Sequence, residues 1–445
     1  MGKPATKLTT LLRYTMFILV ASISLAACGG AGATPGGTTA TTQSITFWAA
    51  PNPPQQAFWT AMAKAYMAQH TGTQITVRAM PESPSSEAGI QAAIAGGAAP
   101  TASENIFTGF AGQLVGDQAV VPLDQMPGWN DLITARHMDQ TIAGWKFADS
   151  HTYVLPIYTN SILLAWRMDI LKQIGYDKPP QTYSQIIAMG EKLKQKFPDK
   201  FVWANSALTQ NTWWQRWFDF FTLYDAASNG QSLIDGNKIS ADDQGAINTL
   251  TFFQNLMQKK LLLTQTATDP FETGVSVMSI IGPWQFTYWQ QKYPQLKLND
   301  TYTLSSPPVP DSYPAGQPVK TFADAKGIVI YKQASAAQQQ AMWQFIKWVL
   351  SDPQHDLQWL QTTSLPSARD DLSTNTVFKS YFDQHPELAS FAQDIPNAVP
   401  PLKAAKYTDI QVALGDDAVI PVVKGQTAPD QAWTNWKNAV QPMLS

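Results

Sequence analysis

The residue types that most often carry out chemistry in proteins are few in this sequence, and they do not cluster. One cysteine occurs, Cys28, with five scattered histidines: His70, His137, His151, His355 and His385. No HExxH pair is present, and a single cysteine cannot build a thiolate metal site. The sequence also has no glycine-rich phosphate loop, dinucleotide fingerprint or GxSxG elbow. It therefore indicates no cofactor and no catalytic constellation, except that a pair of carboxylates for glycoside hydrolysis is not excluded by spacing alone.

Cys28 follows a segment typical of a secretory signal peptide. The start carries lysine and arginine but no acid, and residues from Tyr14 to Ala27 are mainly apolar. This run is shorter than the roughly 20 apolar residues of a spanning helix. The residues "LAAC" resemble the lipobox of bacterial lipoproteins, in which the cysteine receives lipid and becomes the new N-terminus after cleavage. The alternative is an ordinary secretion signal with an incidental cysteine.

The residues after Cys28 predict a flexible tether. The segment 29–43, "GGAGATPGGTTATTQ", is rich in Gly, Thr and Ala and has no apolar periodicity. The division expected is therefore a lipoprotein signal peptide over 1–28, a tether over 29–43 and a folded part over 44–445. We expect the folded part to work in water on the extracellular face of the cytoplasmic membrane.

Length and composition limit the number of domains and the kinds of partner that the folded part can have. About 400 residues suffice for two domains of ordinary size. The net charge of −3 gives no basic field for nucleic acid, and no second long apolar segment is present. Charged residues make up only 14% of the chain while tryptophans number 16, so aromatic side chains outside the core are candidates for ligand contact.

The first elements that must position such residues alternate between strand and helix. "ITFWAA" from Ile45 predicts a strand, "QQAFWTAMAKAYMAQHTG" a helix, "TQITVRAM" a strand, "SSEAGIQAAIAGGAAP" a helix and "ENIFTG" from Glu104 a third strand. This order is typical of a parallel sheet, in which ligands bind beyond the carboxyl ends of the strands. Trp48, Glu82 and Thr108 fall at or just past those ends.

The order of later motifs resembles that of the extracellular solute-binding proteins of bacterial ABC importers, the family that includes maltose-binding protein. The segments that carry the resemblance are "AAIAGGAAP", "LVGDQAVVPLDQ", "YVLPIYTNSILLAWRMDILKQIGYDKPPQTYSQII", "VSVMSIIGPW", "MWQFIKWVLSDPQHDLQWL", "SLPSARDDL" and "VVKGQTAPDQAW". Each motif is weak alone, but their shared order and spacing cover nearly the whole chain after the tether.

The resemblance implies a periplasmic-binding-protein-like α/β fold. Two α/β lobes would surround a ligand cleft, with hinge crossovers between them. Lobe one is expected at about 44–155 and 322–372, and lobe two at about 156–321 and 373–445. The chain departs from many members where they carry a Gly-Gly pair, because "TFADAKGIVI" places Asp324 and Lys326 there. These charges either tune the cleft for a different ligand or form an ion pair near the hinge.

A sugar-binding cleft needs flat aromatic rings for the C–H faces of sugars and planar polar groups for their hydroxyls. Trp284 in the "GPW" turn is the foremost candidate, and the segment "NTWWQRWFDF" offers Trp213. The ligand-binding candidates are Trp48, Glu82, Thr108, Tyr158, Asn160, Trp213, Trp284, Asp324 and Arg369. For several of them the alternative is a core, loop or inter-lobe role.

The expected function is that of a monomeric, lipid-anchored receptor that does no covalent chemistry. It would capture a sugar or oligosaccharide and deliver it to the permease subunits of an ABC transporter. Three alternatives stay open at this point: a non-sugar solute such as glycerol-phosphate or a polyol, a lipid-anchored carbohydrate-active enzyme, and a receptor that signals without transport. The abundance of tryptophan over arginine among the cleft candidates favours a neutral sugar over a phosphate.

Overall fold

A computed structural model describes residues 42–81, 85–210 and 217–444. The strands are β1 (Gln43–Ala49), β2 (Thr73–Ala79), β3 (Ala102–Ile106), β4 (Leu155–Ser161), β5 (Leu163–Arg167), β6 (Phe201–Ala204), β7 (Ile234–Asp235), β8 (Lys238–Ile239), β9 (Leu262–Leu263), β10 (Ser276–Ile281), β11 (Tyr302–Ser305), β12 (Thr321–Ile330) and β13 (Ala398–Val399).

The α-helices are α1 (Pro53–Gln69), α2 (Ser86–Ala95), α3 (Thr108–Gly116), α4 (Trp129–Ala135), α5 (Asp139–Ala143), α6 (Met168–Leu171), α7 (Tyr183–Lys196), α8 (Thr222–Ala227), α9 (Asp243–Gln258), α10 (Gln285–Lys292), α11 (Ala336–Leu350), α12 (Pro353–Thr363), α13 (Thr376–Gln384), α14 (Pro386–Asp394), α15 (Tyr407–Ala413), α16 (Ile420–Val423) and α17 (Pro429–Val440). Two π-helical segments, Trp217–Phe221 and Leu414–Val419, precede α8 and α16.

The first sheet has the strand order β13-β12-β3-β1-β2, and β4 also pairs with β12. Strand β1 runs parallel to both β2 and β3, which confirms the predicted alternation of strands and helices. The third strand was placed too late along the chain, because it covers Ala102–Ile106 and Thr108 already begins α3. Its first residues, Ala102 and Ser103, are small and give little strand signal, yet both are fully buried in the sheet.

The second sheet has the order β11-β5-β10-β6-β9. Strand β5 is antiparallel to β10 and β11, while β6 is parallel to β10 and β9. Only Ile162 separates β4 in the first sheet from β5 in the second. The Ile162 amide donates to the Phe322 carbonyl at 3.0 Å, and the Thr321 hydroxyl donates to the Ile162 carbonyl. The chain thus passes directly from one sheet to the other beside the start of β12.

Helices cover the first sheet with a dense aromatic layer. Helices α1 and α11 contact β1, and α12 packs on α1. The Phe47 ring on β1 lies 4.4 Å from the Trp59 ring on α1, and Phe345 from α11 meets both. Burial of each such side chain contributes roughly 1.5–3 kcal/mol relative to exposure. This packing fixes the position of α1, whose first residues reach the carboxyl edge of the sheet.

The part of the chain after residue 373 is mainly helical, with proline at several helix starts. Helices α16 and α17 pack on α9, whereas α14 packs on β4 of the first sheet. Within the described residues, none of the helices combines the length and the apolar character that crossing a membrane requires.

Candidate functional site

A cavity of about 510 Å³ lies where elements of both sheets meet. The first sheet contributes the turn after β1, the end of β3 and facing positions on β4 and β12. The second sheet contributes the turn after β10, and the end of α12 closes one side. The lining residues are Ala50, Pro51, Asn52, Pro54, Gln55, Asn105, Tyr158, Asn160, Trp284, Asp324, Lys326, Thr363 and Leu365. We call this space the cleft cavity.

The start of α1 forms one wall of the cleft cavity. Asn52 is the N-cap, and its side chain accepts a hydrogen bond from the Gln55 amide at 3.1 Å. Pro53 and Pro54 occupy the first helical positions, where a missing N–H is harmless. The Asn52 side-chain amide also donates to the Gln55 side-chain oxygen, so the Gln55 side chain is held at the wall.

Strands β4 and β12 present four polar side chains to the cleft cavity. The antiparallel register places Asn160 opposite Asp324 and Tyr158 opposite Lys326, and alternation along each strand brings all four to one face. We call this set the polar strip. The Asn160 Nδ2 donates weakly to Asp324 Oδ2 at 3.5 Å, while the Asn160 Oδ1 is buried and lacks a partner among the described residues.

The two charged side chains of the polar strip, Asp324 and Lys326, do not form an ion pair with each other. Within the described ranges, neither Asp324 nor Lys326 takes part in a salt bridge, although both are only half-buried. The hinge-side ion pair considered from the sequence is therefore absent between these two residues. Buried polar groups normally have partners, so the free donors and acceptors of the strip are available to a solute.

Tyr158 is a neutral donor under ordinary conditions. Burial raises the pKa of Tyr158 well above its usual value, and the negative charges of Asp324 and Glu104 add to the effect. Its ring stacks on Trp359 at 6.0 Å with 20° between the planes. The phenol is thus fixed from behind while its edge lines the cavity.

Trp284 stands out because its side chain is 46% exposed, unlike every other large hydrophobic side chain in the described part of the chain. It follows Gly282 and Pro283 in the turn after β10. The indole covers Gly282 so closely that a Cβ there would lie 2.0 Å from the ring. Phe218 meets the indole edge-on at 5.8 Å. The ring is therefore a supported, solvent-facing plate on the second-sheet side of the cavity.

The remaining predicted residues lie elsewhere. Trp48 sits in β1 on the face opposite Phe47, partly buried against the core, and does not line the cleft cavity. Thr108 has no exposed surface, and its hydroxyl donates to the Pro401 carbonyl. Glu82, Trp213 and the anchor residue Cys28 fall outside the described residues.

Arg369 is also withdrawn from the cavity, because only 1% of it is exposed. It pairs with Asp356 at 3.1 Å and with Asp371 at 2.8 Å. Arg136, equally buried, joins the same Asp356 carboxylate at 2.8 Å and donates to two carbonyls of β4. This buried ion network holds β4, the strand that carries Tyr158. Arg369 therefore supports the cavity wall through Asp356 and Arg136 and does not line the cavity itself.

Sequence reasoning missed the wall residues Asn52, Gln55 and Asn105. The signal for the first two was present, because Asn followed by two prolines just after a strand marks a helix start at the carboxyl edge of a sheet. Asn105 adopts a positive φ of 64°, which Asn tolerates better than most residues. That conformation coincides with an irregularity in the pairing of β3 with β12, and Asn105 lines the cavity.

A buried carboxyl group lies just behind this wall. Glu104 has no exposed surface, and burial raises its pKa to about 7. Of the described residues that line the cleft cavity, Asp324 alone is acidic. A pair of carboxylates flanking a bound glycoside is therefore not provided by the described wall, and the described chain holds no cluster of three or more potential metal ligands.

A larger cavity of about 620 Å³ lies between α7, α9 and the loop at Pro310, on the side of the second sheet. Its aromatic floor, Tyr183 and Phe252, is engaged in mutual stacking at 4.4 Å. The cleft cavity is the candidate solute site, because among the cavities described for residues 42–81, 85–210 and 217–444 it combines elements of both sheets, an exposed indole and the unpaired buried Asn160 Oδ1.

The geometry defines a class: an α/β protein with two sheet-centred lobes and a polar, aromatic-walled cavity where they meet. A family model of bacterial extracellular solute-binding proteins matches residues 61–388. The chain therefore belongs to the family of bacterial extracellular solute-binding proteins, whose members bind solutes and are not enzymes. The resemblance inferred from the sequence motifs is confirmed.

Solved structures agree on the fold. An uncharacterised protein of Listeria monocytogenes is 47% identical, with a TM-score of 0.89 over 91% of this chain and 100% of that one. The cyclic alpha-maltosyl-1,6-maltose binding protein of Arthrobacter globiformis is 17% identical, with a TM-score of 0.76 over 90% and 98%. The sugar-binding protein MalE of Xanthomonas citri is 17% identical, with a TM-score of 0.70 over 90% and 97%. These matches confirm the two-lobe, periplasmic-binding-protein-like fold.

Proposed function

We propose that this protein is a lipid-anchored extracellular receptor that binds a sugar or oligosaccharide in the cleft cavity and delivers it to the permease of an ABC transporter. The observation that carries the proposal is the pairing, across one cavity, of the exposed Trp284 indole with the polar strip. An aromatic plate facing a row of unpaired donors and acceptors matches the two chemical faces of a pyranose.

The chemistry of each side supports a neutral carbohydrate. The apolar C–H face of a sugar ring packs on an indole, whose face is electron-rich. Its hydroxyls both donate and accept, and the strip provides both kinds of partner: Lys326 and Tyr158 donate, Asp324 accepts, and Asn160 does both. A hydrogen bond to the buried Asn160 oxygen would also remove the free-energy penalty of an unpaired polar atom.

The names of similar proteins support the same class of ligand. The Arthrobacter and Xanthomonas proteins are described as binding a cyclic maltosyl-maltose and sugar, respectively. Their identity to this chain is low, so they support the class of solute and do not identify the sugar.

Anchoring and delivery complete the proposal. Lipid on Cys28 would hold the protein at the membrane, and residues 29–43 would let the folded part reach a permease in the same bilayer. The lobes would close over the solute by bending where β4 passes through Ile162 into β5, so the first boundary between them would fall near Ile162, slightly later than the 155–156 expected from the sequence.

The proposal is tested by a thermal-shift panel of mono- and oligosaccharides, including maltose and maltotetraose, with glycerol-phosphate and a polyol as competitors. A solute at 100 times its Kd raises the free energy of unfolding by about 2.7 kcal/mol. We expect a carbohydrate to shift the midpoint, and Trp284→Ala to abolish that shift.

Trp348→Ala is the matched control, because Trp348 lies on α11 against Tyr66 and His355, away from the cleft cavity. It should keep the carbohydrate shift. If glycerol-phosphate shifts the midpoint and no sugar does, the proposal of a sugar ligand is wrong. Lys326 would then be the cation that pairs with the phosphate. If Trp284→Ala binds like the wild type, the cleft cavity is not the site.

A further inference from the structure

Glu104 lies directly behind the wall of the cleft cavity without touching the space itself. It has no exposed surface and directly precedes Asn105, which lines the cavity. A carboxyl group in that position reaches no solute, so any effect on binding must pass through its neighbours.

Its neighbours are parts of the wall. One carboxylate oxygen accepts a hydrogen bond from the Ala50 amide at 2.7 Å, and the other accepts from the Gln55 side-chain nitrogen at 3.0 Å. Ala50 and Gln55 both line the cleft cavity. The carboxylate therefore ties the turn between β1 and α1 to the end of β3.

Both partners are donors, so the ionised carboxyl group can accept both hydrogen bonds at once. A carboxylate accepts on both oxygens, whereas a carboxylic acid carries a proton on one of them. When the carboxyl group is protonated, its O–H faces one of the two N–H donors. That hydrogen bond is lost, and a donor in the buried wall is left unpaired. An unpaired buried donor costs about 1–3 kcal/mol, enough to rearrange a short turn.

We propose that Glu104 is a positioning residue of the solute site, whose carboxylate holds Ala50 and Gln55 in the arrangement that binds the solute and whose protonation weakens binding. The inference rests on the proposed function for the ligand used to measure it. It adds a residue that contacts no solute and a dependence of affinity on pH.

The electrostatic surroundings place this effect near neutral pH. Burial raises the pKa of Glu104 to about 7, although the N–H donors of Ala50, Trp59 and Gln55 and the positive charge of Lys326 act in the opposite direction. The charged and titratable groups facing it are Lys326 on β12 and Tyr158 on β4, with Asp324 beyond Tyr158.

One pH unit below its pKa, about a tenth of the molecules carry the ionised form. Because only the ionised fraction binds well, the apparent Kd equals the intrinsic Kd divided by that fraction. The Kd at pH 6 should therefore be about tenfold higher than at pH 8.

The first experiment measures Kd by calorimetry from pH 5.5 to pH 8.5 with maltotetraose, or with whichever sugar gives the largest shift in the thermal panel. The wild type should lose affinity on acidification, and Glu104→Gln should bind weakly at every pH. Glu104→Asp, which keeps the charge, should keep the dependence on pH. Asp225→Asn is the control and should keep the wild-type dependence on pH, because Asp225 is also a buried carboxyl group but forms no described hydrogen bond to a residue that lines the cleft cavity.

The second experiment needs no ligand. With selective ¹⁵N-alanine labelling, the Ala50 amide proton should titrate with a midpoint near pH 7 in the wild type and should not titrate in Glu104→Gln. If no sugar binds, the proposed function fails while this measurement still tests the contact. If sugar binds but Glu104→Gln matches the wild type in affinity and pH profile, or Ala50 does not titrate, the positioning role is overturned.

Discussion

Replacing Asp356 by asparagine should destabilise this protein more than any other single change in its buried ion network. The Asp356 carboxylate is 2% exposed and is shared by Arg136 at 2.8 Å and Arg369 at 3.1 Å. Asparagine has nearly the same shape, so the change removes charge without opening a cavity. The loss therefore reports on electrostatics and hydrogen bonding.

The expected loss of unfolding free energy depends on which partners Arg136 and Arg369 retain after the substitution. Arg369 retains Asp371, whereas Arg136 keeps hydrogen bonds to the Pro156 and Ile157 carbonyls but has no remaining counter-charge among the described residues. One uncompensated buried cation costs about 3–5 kcal/mol. Arg369→Met should lose less, about 1–3 kcal/mol, since Asp356 keeps Arg136 and the partly exposed Asp371 keeps a hydrogen bond from Asn375.

The assay is urea denaturation followed by both far-UV circular dichroism and tryptophan emission, whose coincidence checks the two-state analysis. Asp383→Asn is the matched control, because its pair with Lys379 lies on an exposed helix face where such a pair contributes about 0.3–0.5 kcal/mol. The reasoning is refuted if Asp356→Asn loses no more free energy than Asp383→Asn, or if Arg369→Met loses more than Asp356→Asn.

Three further predictions concern other parts of the chain. Gly282→Ala should weaken solute affinity and change the emission of Trp284, because a Cβ would lie 2.0 Å from the indole and displace it; unchanged Kd and emission would show that the ring position is not set there. The pKa of Glu104 is raised by burial to about 7, so its neutral form stabilises the fold at low pH and that stability is lost as pH rises through about 7. From pH 4 to pH 8 the unfolding free energy of Glu104→Gln should therefore gain on the order of 3 kcal/mol relative to the wild type, measured by urea denaturation, and a constant difference would contradict the pKa. Cys28→Ser should release the protein from membranes on cell fractionation, and retention in the membrane pellet would contradict lipid anchoring.

Much of the fold was readable from local patterns. The alternation of strand and helix from β1 to β3 follows from apolar periodicity and from caps such as Asn52, which act within a few residues of themselves. The "GPW" turn likewise placed Trp284 just beyond a buried strand, and the structure puts its indole at the cleft cavity.

The candidate site was readable only in part. Tyr158, Asn160 and Asp324 were singled out one by one, but their register across β4 and β12 joins residues more than 150 positions apart along the chain. No local pattern encodes such a pairing. Arg369 shows the opposite outcome: a motif suggested solute contact, whereas Asp356 and Asp371 hold the side chain in the interior.

Composition and periodicity thus determine which segments become strands and helices, because those preferences depend on neighbouring residues. The order of the motifs was enough to place the chain in its family. The burial of Arg369, the free oxygen of Asn160 and the position of Glu104 behind the wall depend on contacts between distant segments. Their energies arise only when the sheets assemble, since desolvation and hydrogen-bond partners are properties of the packed molecule.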